Sequence, residues 1–524
     1  MRMAEPSVYK QYQAARRLTF SFNISLPMLI GKSVFDHPDP SRILQEYAIK
    51  TLRDRMVQLV YPPWFLNKYY HWWTIQKLTV VEDVEFAVLL LRICLYATQF
   101  LPSPAYTADK IRGIPLSDIR RTCSKAADVL TDICAQADTR GSLLRVLHLL
   151  CDGLVLHCAG KTTAFWGTLG GAVLAAQRVG LHEDVELLLH EADEVDKEMH
   201  RWAFCNLYVL DSTLSLTLDR VPFLPDALRQ EVMPRMRLGP DNDFLEPFLD
   251  RILIARLVAF WRNSTPKHDA KYDGIAVEAL YSKFCHEFIS TLPPAFALQP
   301  NREHDEQVPG LPLQRQLLHV NIYFFISLCF RRVLTRDTSQ DCYLPNYKRV
   351  LLSSHLSFLA SVTLRALDCT HILHALMGGS QMRCPVLITS LFEMSLVLVC
   401  LCARREVPAD EDDDDPHVAV GGDQHGISTE VPTRGRCLQT LQKALETLQM
   451  LADVSDMAEV GARHLEELMS TLTEEAGELN VNPPQEAMGD LVENWDWESF
   501  PENIALDLDF ALDTIICQPV DEMQ

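Results

Sequence analysis

Asp412 and Asp415, inside DEDDDDP, stand three apart, a spacing that lets two carboxylates share magnesium ions and so ionise a diphosphate. That chemistry needs the aspartates on a helix at the mouth of a bundle and a second N-D-x-x-S-x-x-x-E ligand set. Here the run lies among Gly and Pro, and no such set follows, so a solvated acidic loop is expected. His182, Glu183 and Asp184 form a polar triple with His190 beyond, but the zinc spacing H-E-x-x-H would need histidine where Glu186 stands. His371 and His374, three apart on a predicted helix, could share a metal but lack a third ligand nearby, which favours ordinary core or surface histidines. The glycines of FWGTLGGAVLAAQRVGLHEDVE, at 167, 170, 171 and 180, miss both phosphate-cradling spacings. Lys161 follows Gly160 without the earlier P-loop glycine, no G-x-S-x-G occurs, and no cysteine has a nucleophile's local signature. No catalytic, cofactor-binding or metal residue is assigned, no cofactor is expected, and the chain reads as a non-enzyme.

The elements that would carry these residues are helical. The class is all-α, with candidate helices over 41–59, 82–100, 116–137, 142–158, 164–179, 194–218, 244–262, 273–291, 312–335, 346–377, 386–404, 435–453 and 456–475. They form one large multi-helix body without a fixed repeat period. On the 164–179 helix, Gly171, Ala172, Ala175 and Ala176 share a slim face flanked by Leu169, Val173 and Leu174, and Gly180 stands where a C-cap favours a left-handed residue. Close approach by a neighbouring helix is the expected use of that face. PVLITSLFEMSLVLVCLCARR, from Pro385, is the membrane candidate, but Glu393 interrupts it, and a buried helix is the expectation.

The net charge of −22 is unevenly spread. Residues 474–524 hold fourteen acidic and no basic side chains, and 406–430 hold nine and none, leaving the rest near +1. That near-neutral remainder gives no overall basic footprint for nucleic acid. Fifteen scattered cysteines, with no C-x-x-C and the closest pair at Cys400 and Cys402, fit buried thiols in a reducing compartment. LTFSFNISLPMLIG alternates apolar and polar residues, which predicts an extended segment over 1–40 and not a secretion signal.

Two stretches depart from the helical pattern of 41–475. An acidic loop is expected over 406–433. In the 476–524 tail, Trp495, Trp497, Phe500, Leu506, Leu508, Phe510 and Leu512 are interleaved with Asp and Glu, the composition of an acidic activation segment. Repulsion among its carboxylates opposes collapse and leaves the large side chains free to enter a partner's groove.

FWGTLGGAVLAAQRVGLHEDVE, followed by DEVDKEMHRWAFCNLYVLDSTLSLTLDRVPFLPD, resembles the middle region of fungal zinc-cluster transcription factors, the fungal-specific transcription factor domain. The matching positions are Gly180, Leu181 and His182; Arg201 and Trp202; Asp211; and Arg220 with Pro222, all expected to act structurally. Trp202, Phe204, Leu207, Tyr208, Leu210, Leu214 and Leu218 would fill a helix core, while Arg201 and Asp211 would hydrogen-bond helix ends. The similarity extends from about residue 50 to 475, through YSKFCHEFISTLPPAF and LLHVNIYFFISLCFRRVLTRD. Asp219 stands in place of the family's glycine, Val221 separates Arg220 from Pro222, His200 replaces one of its paired arginines, and Ser212 follows Asp211 where arginine is common. The family's binuclear zinc cluster needs six closely spaced cysteines, whereas the first cysteine here is Cys94, so no such module is expected within this sequence.

The resemblance implies a nuclear transcription regulator, similar to those placed beside fungal secondary-metabolite genes. Its implied partners are the transcription machinery or a coactivator, with a DNA-binding relative as homo- or heterodimer partner. DNA contact would be indirect or through an uncharacterised surface, and no membrane is involved. The alternatives are an all-α enzyme or ligand-binding protein, terpene-cyclase-like in its weakest version, and a truncated inhibitory paralogue.

Overall fold

The computed structural model describes residues 59–477 apart from 75–80, 101–109, 112–113, 138–140, 219, 227–228, 236–248, 265–271, 307, 309, 335–344, 380 and 404–431. The segments 1–40 and 478–524, most of the 41–59 helix and nearly all of the 406–433 loop lie outside the described residues, and so do Asp412, Asp415 and the seven apolar tail residues. The regular structure of the described residues is helical, with a two-residue antiparallel ladder, β1 (Lys110–Ile111) with β2 (Ile114–Pro115), as the one exception. They group into two compact units.

The first unit holds α1 (Pro62–Thr74), α2 (Val81–Ala97), α3 (Leu116–Ala137), α4 (Leu143–Cys158), α5 (Thr162–Arg178), the single turn α6 (Val185–Leu188) and nearly all of α7 (Glu194–Thr217). α1 is not among the expected helices, and it opens on two prolines, Pro62 and Pro63, a residue type that breaks a helix interior. In a first turn, however, their missing N–H groups have no intrahelical partner to lose. α2 is buried along almost its whole length, packing on α3 and α4. Arg92, 6% exposed, ties the three together through Asp128 at 2.7 Å and Asp152 at 2.8 Å.

α4 and α5 make the most extensive pairing of this unit, but the slim residue in it is on α4. A Cβ on Gly153 would stand 2.5 Å from the Phe165 ring. On α5 the face is divided. Ala172, Ala175 and Ala176 are buried with Leu169 and Val173, whereas Leu174 is 58% exposed and a Cβ on Gly167 or Gly171 would meet nothing within 4 Å. The expected contact through Gly171 and Leu174 is therefore not made among the described residues: Leu174 lies on the opposite side of the helix, and Gly171, one turn before Ala175, stands at the open edge of the alanine face.

The second unit comprises α8 (Leu249–Ser264) from Arg256 onward, α9 (Gly274–Glu287), α10 (Leu311–Arg331), α11 (Asn346–Leu376), α12 (Pro385–Ala403), α13 (Arg434–Ala452) and α14 (Asp456–Gly477). Its core carries an aromatic cluster: Phe284 and Phe325 at 4.5 Å, Phe330 and Phe358 at 4.9 Å, Tyr281 and Phe358 at 5.1 Å. α12 packs on α10, α11, α13 and α14. A helix apolar all round is one enclosed by neighbours, and Glu393, at 8% exposure, faces the Arg331 guanidinium at 3.6 Å. By length and composition α11 also passes as a possible membrane span, a feature its histidines and hydroxyls mask in the sequence.

Candidate functional site

Gly180 ends α5 with φ +73°, its N–H donating to the Gln177 carbonyl at 3.2 Å while the Leu181 N–H reaches back to Ala176 at 3.0 Å. This is the left-handed close expected of the position, and only glycine adopts it without strain. The turn buries Leu181, leaves His182 at the surface 4.0 Å from Glu183, and brings Asp184 to the start of α6, where its carboxylate accepts the Glu186 N–H at 2.9 Å. His182 and His190 are surface residues in this arrangement.

Beyond that turn the chain builds an ionic knot. Glu186 of α6 accepts from Lys197 Nζ at 2.8 Å and Arg201 Nη2 at 2.6 Å, both on α7, and also pairs with Arg235. Arg201 donates a second bond to Glu198 at 2.9 Å, Glu198 accepts the Arg235 backbone N–H at 3.0 Å, and Glu194 holds Lys197 and Arg235, each at 3.3 Å. Three cations face three carboxylates. The hydrogen bond from Lys197, then the charges of Lys197, Arg235 and Arg201, hold the Glu186 carboxyl below its usual range, and the bond to Glu186 in turn raises the Lys197 ammonium. Arg201 is 1% exposed; a guanidinium that deep is tolerated only with its charge paired and its donors engaged.

Further along α7, Trp202, Phe204, Leu207, Tyr208 and Leu214 are buried, as is Leu218 just past its end, and Leu210 is half-buried. Asp211, fully buried, accepts the backbone N–H groups of Phe223 at 3.0 Å and Leu224 at 2.8 Å. It therefore closes the chain turn after α7, in place of the helix-end role its position suggests. Tyr208, on the same helix, donates its hydroxyl to the Asp226 carbonyl at 3.0 Å. The turn begins with the Arg220 N–H on Ser215 at 2.8 Å and passes through half-buried Pro222. It lays Phe223 over Gly170, with its ring stacked on Trp166 at 4.3 Å. A Cβ on Gly170 would come within 3.0 Å of that ring. The Arg220 guanidinium lies 5.8 Å from the Trp166 centroid.

All eight motif residues thus belong to one stretch, and the knot links Arg201 to residues that spacing does not reveal. Glu186 reads in the sequence only as the residue that breaks the zinc spacing. Arg235 carries no signal, because its pairing depends on where the chain returns after α7. For the others, the alternation of acidic and basic residues in EDVELLLHEADEVDKEMHR is the hint that charges meet there, without saying which.

The remaining polar candidates are dispersed. His371 and His374 are both 8% exposed on α11; burial first, then the charges of Lys443 and His374, push His371 down to about 4. Among the described residues no three His, Cys, Asp or Glu side chains converge as a metal set. The described cysteines are buried except half-buried Cys329.

Comparison with known proteins places these features in a family. The fungal specific transcription factor domain matches residues 57–234. That span takes in Glu186, Glu194, Lys197, Glu198, Arg201 and the whole Asp211 turn, and it stops one residue short of Arg235. The chain is 39% identical over 424 residues to "Transcription factor xilB" of Penicillium rubens, covering 78% of this chain and 62% of that protein. It is 36% identical over 445 residues to "Probable transcription factor sol4" of Alternaria solani, covering 82% of this chain and 79% of that protein. The chain therefore spans less than two thirds of the Penicillium relative's length. No solved structure matches it.

Proposed function

Given that the chain belongs to the fungal specific transcription factor family, we propose that it is a nuclear, non-enzymatic regulator of a fungal secondary-metabolite gene cluster. The helical units serve as its regulatory scaffold, and residues 476–524 recruit a coactivator or the transcription machinery. DNA contact is assigned to a partner chain of the same family or to an uncharacterised surface of this chain. The observation that carries the reading is the domain match, whose span holds every motif residue from Gly180 to Pro222. Two further features support it. The charged groups of the knot are engaged with one another and with a backbone N–H group, a scaffold's use of charge. The tail carries twelve carboxylates among large apolar residues and no basic side chain.

The test fuses residues 476–524 to an unrelated DNA-binding domain ahead of a reporter. Activation is expected, and changing Trp495, Trp497, Phe500 and Phe510 to alanine should lower it more than neutralising the acids does. A fusion that leaves the reporter silent removes the tail's role.

A further inference from the structure

His355, fully buried on α11, holds a polar side chain on each ring nitrogen. Its Nε2 meets Glu278 Oε1 of α9 at 3.2 Å, and its Nδ1 meets the Tyr272 hydroxyl, in the chain just before α9, at 2.6 Å. Glu278 lies 77 and Tyr272 83 positions from the histidine, so the relay is made by the fold. Asp273 caps α9, accepting the Ile275 N–H at 3.0 Å, and so fixes the backbone beside Tyr272. Gly274 lets that turn lie against the imidazole, since a Cβ there would stand 3.2 Å from His355 Cε1. On the α10 side the Phe330 ring packs edge-on to the imidazole at 5.2 Å. We propose that Tyr272 is a covalent modification site, its phenol activated by His355 and Glu278 to take an acyl group from an activated ester or thioester.

The roles of the three groups follow from their bonding. A carboxylate only accepts, so His355 Nε2 carries the proton and donates to Glu278, which leaves Nδ1 to accept from the phenol O–H. Hydroxyl, imidazole and carboxylate thus stand in the order nucleophile, base and orienting acid. Burial holds His355 below its ordinary value despite the pull of Glu278, so the imidazole is neutral and free to take a proton at pH 7. Equally buried His319, by contrast, spends a ring nitrogen on the Phe296 carbonyl at 3.0 Å. Tyr272 is half-buried whereas His355 is closed off, so an acyl donor meets the phenol and not the base. The phenol oxygen attacks the acyl carbon, its proton passes to His355 Nδ1, and the imidazolium that forms is offset by Glu278. The bond from the acyl carbon to the leaving oxygen or sulfur then breaks, and that atom takes the proton from Nδ1. One phenol and one ester or thioester become a tyrosine ester and a released alcohol, phenol or thiol. The product stays on the chain, one acyl group per protein. It has no O–H to give Nδ1, so acylation also unties the chain before α9 from α11.

The full chain is incubated with p-nitrophenyl acetate, digested, and its acetylated tyrosines followed over time by mass spectrometry. Tyr70 and Tyr347, 52% and 63% exposed, serve as reference phenols in the same chain. Near neutral pH, Tyr272 should be acetylated at least about tenfold faster than either, a conservative share of the ~10²–10⁴-fold that a positioned base contributes. From about pH 7 to 9 its rate should stay level, because the base is already neutral, whereas an unassisted phenol, ordinarily titrating near 10, gains about tenfold per pH unit. His355→Gln should return Tyr272 to the reference rate and give it the unassisted pH slope, and Glu278→Gln should lower the rate in part. A wild-type Tyr272 that is acetylated less than about tenfold faster than Tyr347, or whose rate climbs with pH as an exposed phenol's does, would overturn the proposal. Neither result depends on a variant folding.

Discussion

Replacing Asp211 by alanine removes the carboxylate that accepts both the Phe223 and Leu224 N–H groups, at 3.0 and 2.8 Å, from a fully buried position. A hydrogen bond to a charged acceptor contributes about 1.5–3 kcal/mol, so losing both sets a cost of about 3–6 kcal/mol for Asp211→Ala. Asp211→Asn keeps one acceptor oxygen and turns an amide toward the other N–H, and about half that loss is expected. Urea denaturation of the full chain, with Val221→Ala as an 86% exposed control, reads the difference. Loss of the turn should also free Phe223 from Trp166 and change the indole emission. Alanine and asparagine variants both within about 0.5 kcal/mol of wild type, on the scale of ordinary surface changes, would refute the reasoning.

Other outcomes follow from the same geometry. Gly153→Ala should overpack against Phe165 and destabilise by about 1–3 kcal/mol, whereas Gly171→Ala, in open space on a helix, should stabilise by up to about 1 kcal/mol; paired thermal melts check the contrast. The Glu186 carboxyl is held low, so its contribution is present above the ordinary glutamate value of about 4.3 and is lost as pH falls through its lower folded value. The stability gap between wild type and Glu186→Gln should accordingly close in acid. Burial holds His148 at about 3, and His157, His319 and His371 at about 4. Their contribution is full above the unfolded value of about 6.5 and declines as pH falls below it. His371→Leu should flatten that decline in a pH series of denaturation midpoints.

The sequence carries the helices well because apolar periodicity is local: α3, α4, α7, α11 and α14 fall within a few residues of their predicted bounds. Gly180 is legible for the same reason, since a left-handed C-cap is a property of one residue and its preceding turn. What pairs across space is not. Gly153 is an ordinary mid-helix glycine until Phe165 is laid over it, and Gly171 looks like a contact until its face turns outward. Asp211 reads as a helix residue, although its partners lie twelve and thirteen positions away in a turn without secondary structure. The division into two units is equally silent, because helices at similar spacing run through both.

If this chain acts at promoters, genomic occupancy of its tagged full-length form should show discrete peaks at a small set of them, concentrated beside clustered biosynthetic genes. A uniform background equal to that of an untagged strain, from a chain shown to be present and folded, would contradict that role.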